Sequence, residues 1–326
     1  MEVVLLSRIP SERKVMEILR ILKEHHEPMG AKRLSELLAE HGFVLTDRAV
    51  QYYLRFLDDH GFTRKVGNIG RVLTPQGVSE IERALVDERL GFIISRLERL
   101  AYRSTFDPLT ATGDVAYNLS IVPQEMEEGV TRAFDEVMKK GYGFFSSYTK
   151  IDKDPRIPSG HLGFITVCSI TMDGVLQRMG TPVRVVYGGR LRVERGQARE
   201  FVDLISYRGT TINPLQLFIS SGLTSIHEVV SRGIGIALAN VRTVPAPAQE
   251  EVKGMIEAMR GCGFMFPVGI GMGIFNLPVD HHRLSIVSYS GMNLIGNSVE
   301  QGYTMKTEIG AGTIPFSKVG DVTRTR

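Results

Sequence analysis

The 326-residue chain has only two cysteines, and its formal net charge is just +3. Each scarcity removes a class of protein. Cys168 and Cys262 stand far apart with no CxxC pair, so a zinc ribbon or zinc finger is excluded. Both sit in apolar company, as free buried thiols of a reducing cytosol do. The small positive surplus rules out a polybasic coat, so any basic surface must be local. No run approaches the roughly 20 apolar residues that span a bilayer. The opening stretch MEVVLLSRIPSERK lacks a basic region, an apolar core and a cleavage site, so no signal peptide is expected and the expected location is the cytoplasm. What remains is ordinary globular composition, 43% hydrophobic and 23% charged, with length for two domains.

The N-terminal part carries three helical patterns. Ser11 is placed to cap a helix to His26 whose Val15, Ile18, Leu19 and Leu22 share one face. A second, from Ala31 to His41, turns Leu34, Leu37 and Leu38 inward and stops at Gly42. Thr46 caps a third, with Val50, Tyr53, Leu54 and Leu57 on its inner face and Arg48, Gln51, Tyr52 and Arg55 on the other. Two short strands follow about Gly67-Asn68-Ile69-Gly70, with Arg64, Lys65 and Arg71 at their ends, and Thr74-Pro75 opens another helix through Val78, Ile81 and Leu85. This order spells a winged helix-turn-helix over residues 1–85, a fold that lays its third helix in the major groove of double-stranded DNA and its wing on the flanking backbone. Thr46, Arg48, Gln51, Tyr52, Arg55, Arg64, Lys65 and Arg71 are the candidate DNA contacts, whereas Asp58 and Asp59 read as the end pointing away. Residues 86–104 continue as a connector helix. Its Leu90, Ile93, Ile94, Leu97 and Leu100 form a face expected to pack on a second copy, giving a homodimer suited to two half-sites.

The remaining residues, 105–326, repeat themselves. Val115–Pro123, a helix over 125–140 and Gly141-Tyr142-Gly143-Phe144 match Ile236–Pro245, a helix over 250–260 and Gly261-Cys262-Gly263-Phe264. Leu162–Cys168 leading to Asp173-Gly174-Val175-Leu176 likewise matches Leu284–Tyr289 leading to Ser290-Gly291-Met292-Asn293-Leu294. Each copy, about 113–205 and 232–318, reads as β-α-β with a glycine-marked turn and further strand. Two copies are too few for a solenoid, so an α+β fold duplicated about a pseudo-two-fold axis is expected. Between the copies, Gly209-Thr210-Thr211-Ile212-Asn213-Pro214 is a polar, helix-starting turn suited to an anion.

Three strings then carry a resemblance: Tyr207–Leu215, Ser221-Gly222-Leu223-Thr224-Ser225, and Gly233-Ile234-Gly235 through Asn240–Pro245. With the winged helix joined to the duplicated domain, the chain resembles the NrpR family of archaeal nitrogen-assimilation repressors, in a short form with one regulatory domain. The resemblance implies a dimeric repressor of a palindromic operator that releases DNA when 2-oxoglutarate binds. A PII-type signalling protein, or a sister member lacking the winged helix, is the implied protein partner. No catalytic cofactor or metal is implied. A dicarboxylate needs a cation and donor-rich loops, and Thr210, Thr211, Asn213, Thr224, Ser225 and Arg242 are the candidates, with Arg184 and Arg190 in reserve.

Other patterns carry less. Gly269-Ile270-Gly271-Met272-Gly273 lacks a following Lys-Ser/Thr and reads as a flexible turn rather than a phosphate loop. Adjacent His281 and His282 point to opposite faces of an extended segment, which does not suit a metal. No nucleophile-base-acid series marks an enzyme. The competing readings are a protein-interaction adaptor and a regulator answering to another small metabolite.

Overall fold

The computed structural model describes residues 12–83 and 92–319, so the expected roles of Ser11, Leu85 and Leu90 lie outside the described residues. The chain divides into two compact units, residues 1–89 and 90–326.

In the first unit, α1 (Glu12–His25), α2 (Ala31–Glu40) and α3 (Asp47–Asp59) precede the ribbon β1 (Thr63–Val66) and β2 (Gly70–Leu73), and α4 (Pro75–Arg83) follows. Their apolar stripes meet in one core, where Ile18, Leu19, Leu34, Leu38, Val50, Leu54 and Leu57 are fully buried. The Thr46 hydroxyl accepts from the Ala49 N–H and starts α3. Met29 exchanges both backbone hydrogen bonds with Arg71, adding a bridge beside the ribbon. Gly70 permits this approach, because a Cβ there would lie 2.1 Å from the Met29 carbonyl carbon.

The second unit opens with α5 (Phe92–Arg103). The first copy is β3 (Asp114–Pro123), α6 (Glu127–Lys139), β4 (Tyr148–Ile151), β5 (His161–Val167), α7 (Ile170–Arg178) and β6 (Arg184–Glu194). A hairpin then adds β7 (Gln197–Ser206), and α8 (Pro214–Ser220) and α9 (Ile226–Arg232) lead to the second copy. That copy is β8 (Gly235–Pro245), α10 (Gln249–Gly261), β9 (Gly269–Gly271), β10 (Arg283–Tyr289), α11 (Met292–Glu300) and β11 (Lys306–Pro315). Each copy is therefore βαββαβ.

Two sequence expectations change here. The stretches after Cys168 and Tyr289 are helices, not glycine-marked turns. Residues 170–176 of α7 and 292–298 of α11 are buried on every side, which erases the amphipathic stripe that would have announced them. Gly269–Gly271 is a paired strand rather than a flexible turn. Cys262, expected to be buried, is half-buried.

The last strand of each copy crosses to the other. One sheet runs β11-β3-β5-β4 and the other β7-β6-β8-β10-β9, so β11 completes the first copy's sheet and β6 the second's. Every pairing in both sheets is antiparallel. With the crossing strand counted in, the order last-first-third-second is that of the split β-α-β fold. The two Gly-x-Gly-Phe exits also meet: the Met265 N–H donates to Phe144 O and the Ser146 N–H to Gly263 O. Phe144, Phe145, Phe264 and Phe266 pack there, with Phe144 and Phe264 rings 5.6 Å apart.

A sheet that borrows a strand cannot close alone. Expressed separately, residues 90–209 and 210–326 should each lack a cooperative melt by circular dichroism, and mixing them should restore one. Cooperative unfolding of either fragment by itself would show that the exchange is dispensable.

Candidate DNA-binding face and effector cleft

On the winged helix, α3 presents Arg48, Gln51, Tyr52 and Arg55 to solvent, and β1 presents Arg64 and Lys65. The core fixes this outcome, because Val50, Tyr53, Leu54 and Leu57 occupy the inner face of α3 and leave the cations outward. Arg71 differs. Its Nε lies 2.7 Å from Asp58 Oδ2, and the Thr63 hydroxyl donates to Asp58 Oδ1 at 2.6 Å. Asp58 thus fastens the wing to the end of α3 instead of pointing idly away, and Arg71 is a brace rather than an open cation. Replacing Asp58 by alanine should lower the unit's stability by about 1 kcal/mol, as expected for a half-buried charged hydrogen bond. Exposed Arg55→Ala should cost less than about 0.5 kcal/mol. Equal losses in urea unfolding of the two variants would contradict this division of roles.

The regulatory unit has a cleft where the two copies meet. Asn118 of β3 and Asn240 of β8, the same position in each copy, both line it, as do Ser169, Ser290, Cys168, Ile170 and Met292. Its cavity is about 20 Å³. The crossing strands bulge beside it, between Val185 and Tyr187 in β6 and between Glu308 and Gly312 in β11, and Val185 and Ile309 form part of the wall. Asn118 Oδ1 accepts the Gly310 N–H at 3.0 Å within the β11 bulge, and Asn240 Oδ1 accepts the Tyr207 hydroxyl at 2.8 Å.

Arg242 is 1% exposed, and its partner Asp173 likewise. The guanidinium donates through Nε and Nη2 to the two Asp173 oxygens at 2.5 and 3.0 Å, and through Nη2 to Ser169 Oγ at 2.9 Å. Its Nη1 has no hydrogen-bond partner among the described residues although it is buried. Burial opposes the charge on Arg242, but the facing carboxylate outweighs it and holds the pKa above the ordinary value. Burial likewise pushes the Asp173 carboxyl above the usual carboxylate range, against the pull of Arg242. The bidentate geometry is that of an ionised pair, and we assign charge to both. Burial raises Cys168 to about 11 and lifts Tyr207 above its usual value, so neither is ionised at neutral pH.

The wall nearest the winged-helix end of the chain is α5. Its Leu97, Leu100 and Ala101 are buried with Ala116, Cys168, Ile170 and Tyr207. Gly174 of α7 lets the helices close, since a Cβ there would stand 2.6 Å from Ala101 O. Of the connector face expected to meet a second copy, Leu97 and Leu100 are buried within the chain and Ile93 and Ile94 are half-buried against the same cluster.

Of the effector candidates, the cleft gathers Arg242 and Asn213 and leaves out Thr210, Thr211, Thr224 and Ser225. Thr210 turns its hydroxyl to Ile212 O, and Asn213 Oδ1 caps α8 by accepting from Leu215 and Gln216 N–H. The Thr224 hydroxyl donates to Glu300, whose carboxylate also takes the Ile226 and His227 N–H groups. Ser225 Oγ accepts from the Ile236 N–H. The chain thus supplies its own anion at that loop. Arg190 pairs with Asp203, and Arg184 lies outside the lining. Sequence reasoning missed Asn118, Ser169, Asn240 and Ser290; the recurrence of asparagine at one repeat position was the available signal.

Fold and faces together define a winged-helix transcriptional regulator with a duplicated, strand-exchanged regulatory domain. Residues 90–321 match the family described as NrpR regulatory domains NRD1 and 2, and residues 16–81 match the ribonuclease R winged-helix domain. The chain belongs to the NrpR family. It is 36% identical to the global nitrogen regulator NrpRI of Methanosarcina mazei, over 91% of this chain and 94% of that one. It is 28% identical to the global nitrogen regulator NrpR of Methanococcus maripaludis and to that of Methanocaldococcus jannaschii, spanning 53% and 52% of their lengths. A crystal structure of a nitrogen repressor-like protein from Methanococcus jannaschii shares the fold, with a TM-score of 0.59 at 21% identity, over 70% of this chain and 96% of that one. These relatives are named as regulators, which sets the chain among regulators rather than enzymes. No helix among the described residues is long and apolar enough to cross a membrane.

Proposed function

We propose that the chain represses nitrogen-assimilation genes, binding operator DNA as a homodimer through α3 and the wing and releasing it when 2-oxoglutarate occupies the regulatory unit. The observation that carries this reading is the solvent-facing set Arg48, Arg55, Arg64 and Lys65, held outward by a fully packed core, in a chain whose relatives are named global nitrogen regulators. Arg48, Gln51, Tyr52 and Arg55 occupy the recognition helix, where they meet base edges and phosphates, while Arg64 and Lys65 of the wing take the adjacent backbone. Thr46 adds a helix N-terminus beside a phosphate.

The ligand can weaken operator binding only by the difference in its affinity for the free and DNA-bound arrangements, typically about 1–3 kcal/mol, and DNA must weaken ligand binding by the same factor. A PII-type protein or a sister chain would act on the same equilibrium. The test is a gel-shift series at several salt concentrations with a promoter fragment of a nitrogen-assimilation gene. Converting Arg48, Arg55 and Lys65 together to alanine should weaken binding strongly and flatten the salt slope by about 3, one per lost phosphate contact. Undiminished binding by the triple variant would refute the interface.

A further inference from the structure

We propose that the tip of the wing, Asn68-Ile69, enters the minor groove beside the bases that α3 meets, and that Ile69 wedges open a pliable base step there. This rests on the DNA-binding reading above and extends it to a second groove, with a sequence requirement beyond the reach of α3.

The side chain itself is the first observation. Ile69 is 69% exposed, whereas the other apolar residues of the ribbon, Val66, Val72 and Leu73, are half-buried. A lone apolar side chain on a surface is ordinary. This one stands at the end of a projection. The tip is also thin: Gly67 has no side chain and takes a left-handed φ of +51°, so only Asn68 and Ile69 extend from it. The minor groove of B-DNA is about 6 Å wide, which admits such a tip but not a helix or a whole ribbon.

The second is that the tip is held in place by the unit's own contacts. The Ile69 N–H donates to Val66 O at 3.1 Å and closes the turn. Gly70 lies against Met29, Met29 exchanges hydrogen bonds with Arg71, and Asp58 of α3 clamps Arg71 in turn. Ile69 therefore sits at a fixed place relative to the face of α3 that carries Arg48, Gln51, Tyr52 and Arg55. A preformed projection loses little conformational freedom on insertion.

The third is electrostatic, and it selects the partner. The Ile69 carbonyl lies beside Gly30, whose Cβ would stand 3.5 Å from it, and Gly30 opens α2. That helix start has no side-chain cap and no acid in its first turn, and Lys32 is exposed there beside the Arg33–Glu36 pair. A cation at the start of a helix opposes the dipole, and an external polyanion relieves that conflict. On the ribbon, Arg64 and Lys65 are exposed as well. An apolar tip among cations suits a wedge that must pass between phosphates. It does not suit docking on an apolar protein surface.

Apolar wedges of this kind unstack a base step and kink the duplex, and the deformation is easiest at TA and CA/TG steps. Asn68, next to the wedge, has an amide that donates to the minor-groove acceptors of A·T pairs. The operator should therefore carry a pyrimidine–purine step flanking each α3 site, at a position α3 does not touch.

Selection of duplexes from a random pool by the full chain, in parallel with Ile69→Ala, tests this. The wild-type pool should enrich TA or CA/TG steps at a fixed offset from the bases α3 reads. The Ile69→Ala pool should keep those bases and lose the flanking step. On a selected duplex, Ile69→Ala should bind about tenfold more weakly, the scale of one altered base pair, and bend the DNA less in a circular-permutation gel. Its salt slope should not change, because no phosphate contact is lost. Ile69→Lys should steepen the slope without restoring the bend. No flanking step in the wild-type pool, or equal affinity and bend for Ile69→Ala, overturns the wedge and leaves binding by α3 in place. Enrichment of no sequence by the wild type removes the DNA reading and the wedge with it. Loss of a dimer in Ile69→Ala by sedimentation would put Ile69 in a protein interface and overturn the wedge as well.

Discussion

Neither sheet of the regulatory unit has its fourth strand in its own copy. β6 and β11 cross over, and that exchange places Asn118 and Asn240 side by side and builds both apolar cores from residues of both copies. It also obliges the copies to fold as one body. A cleft made this way is lined by equivalent residues of both copies and, in part, by the two crossing strands, each of which bulges there.

Within that frame the Asp173–Arg242 pair breaks the symmetry. A buried ion pair is weak evidence for stability, since apolar residues of similar volume often serve as well or better. Its geometry suggests another use: Asp173 spans Nε and Nη2, Ser169 shares Nη2, and one nitrogen is left over. The pair holds a buried cation in the cleft wall, at the cost of burying charge. The winged helix follows the opposite logic, keeping Arg48, Arg55, Arg64 and Lys65 on the surface and using Asp58 to fasten the ribbon to the end of α3.

The sequence was most legible where periodicity was strong. The helices of the first unit and their inner residues follow from the 3.6-residue spacing, and the repeat follows from Val-Pro and Gly-x-Gly-Phe recurring. The helices α7 and α11 were not legible, because burial on all sides leaves no polar face. Strand exchange leaves no local mark, since β6 and β11 would look the same paired within their own copy. Arg242 was legible as an isolated cation in a strand, but its partner Asp173 lies 69 residues away. Thr224 and Ser225 misled because a loop rich in donors serves equally for an external anion or for Glu300, and only the fold decides.

Native-state hydrogen exchange of the full chain over a urea series tests the central claim most directly. The account predicts that the amides of β6 and β11 open together with those of β3 and β8, as one cooperative unit. Opening of one sheet while the other stays protected would contradict it.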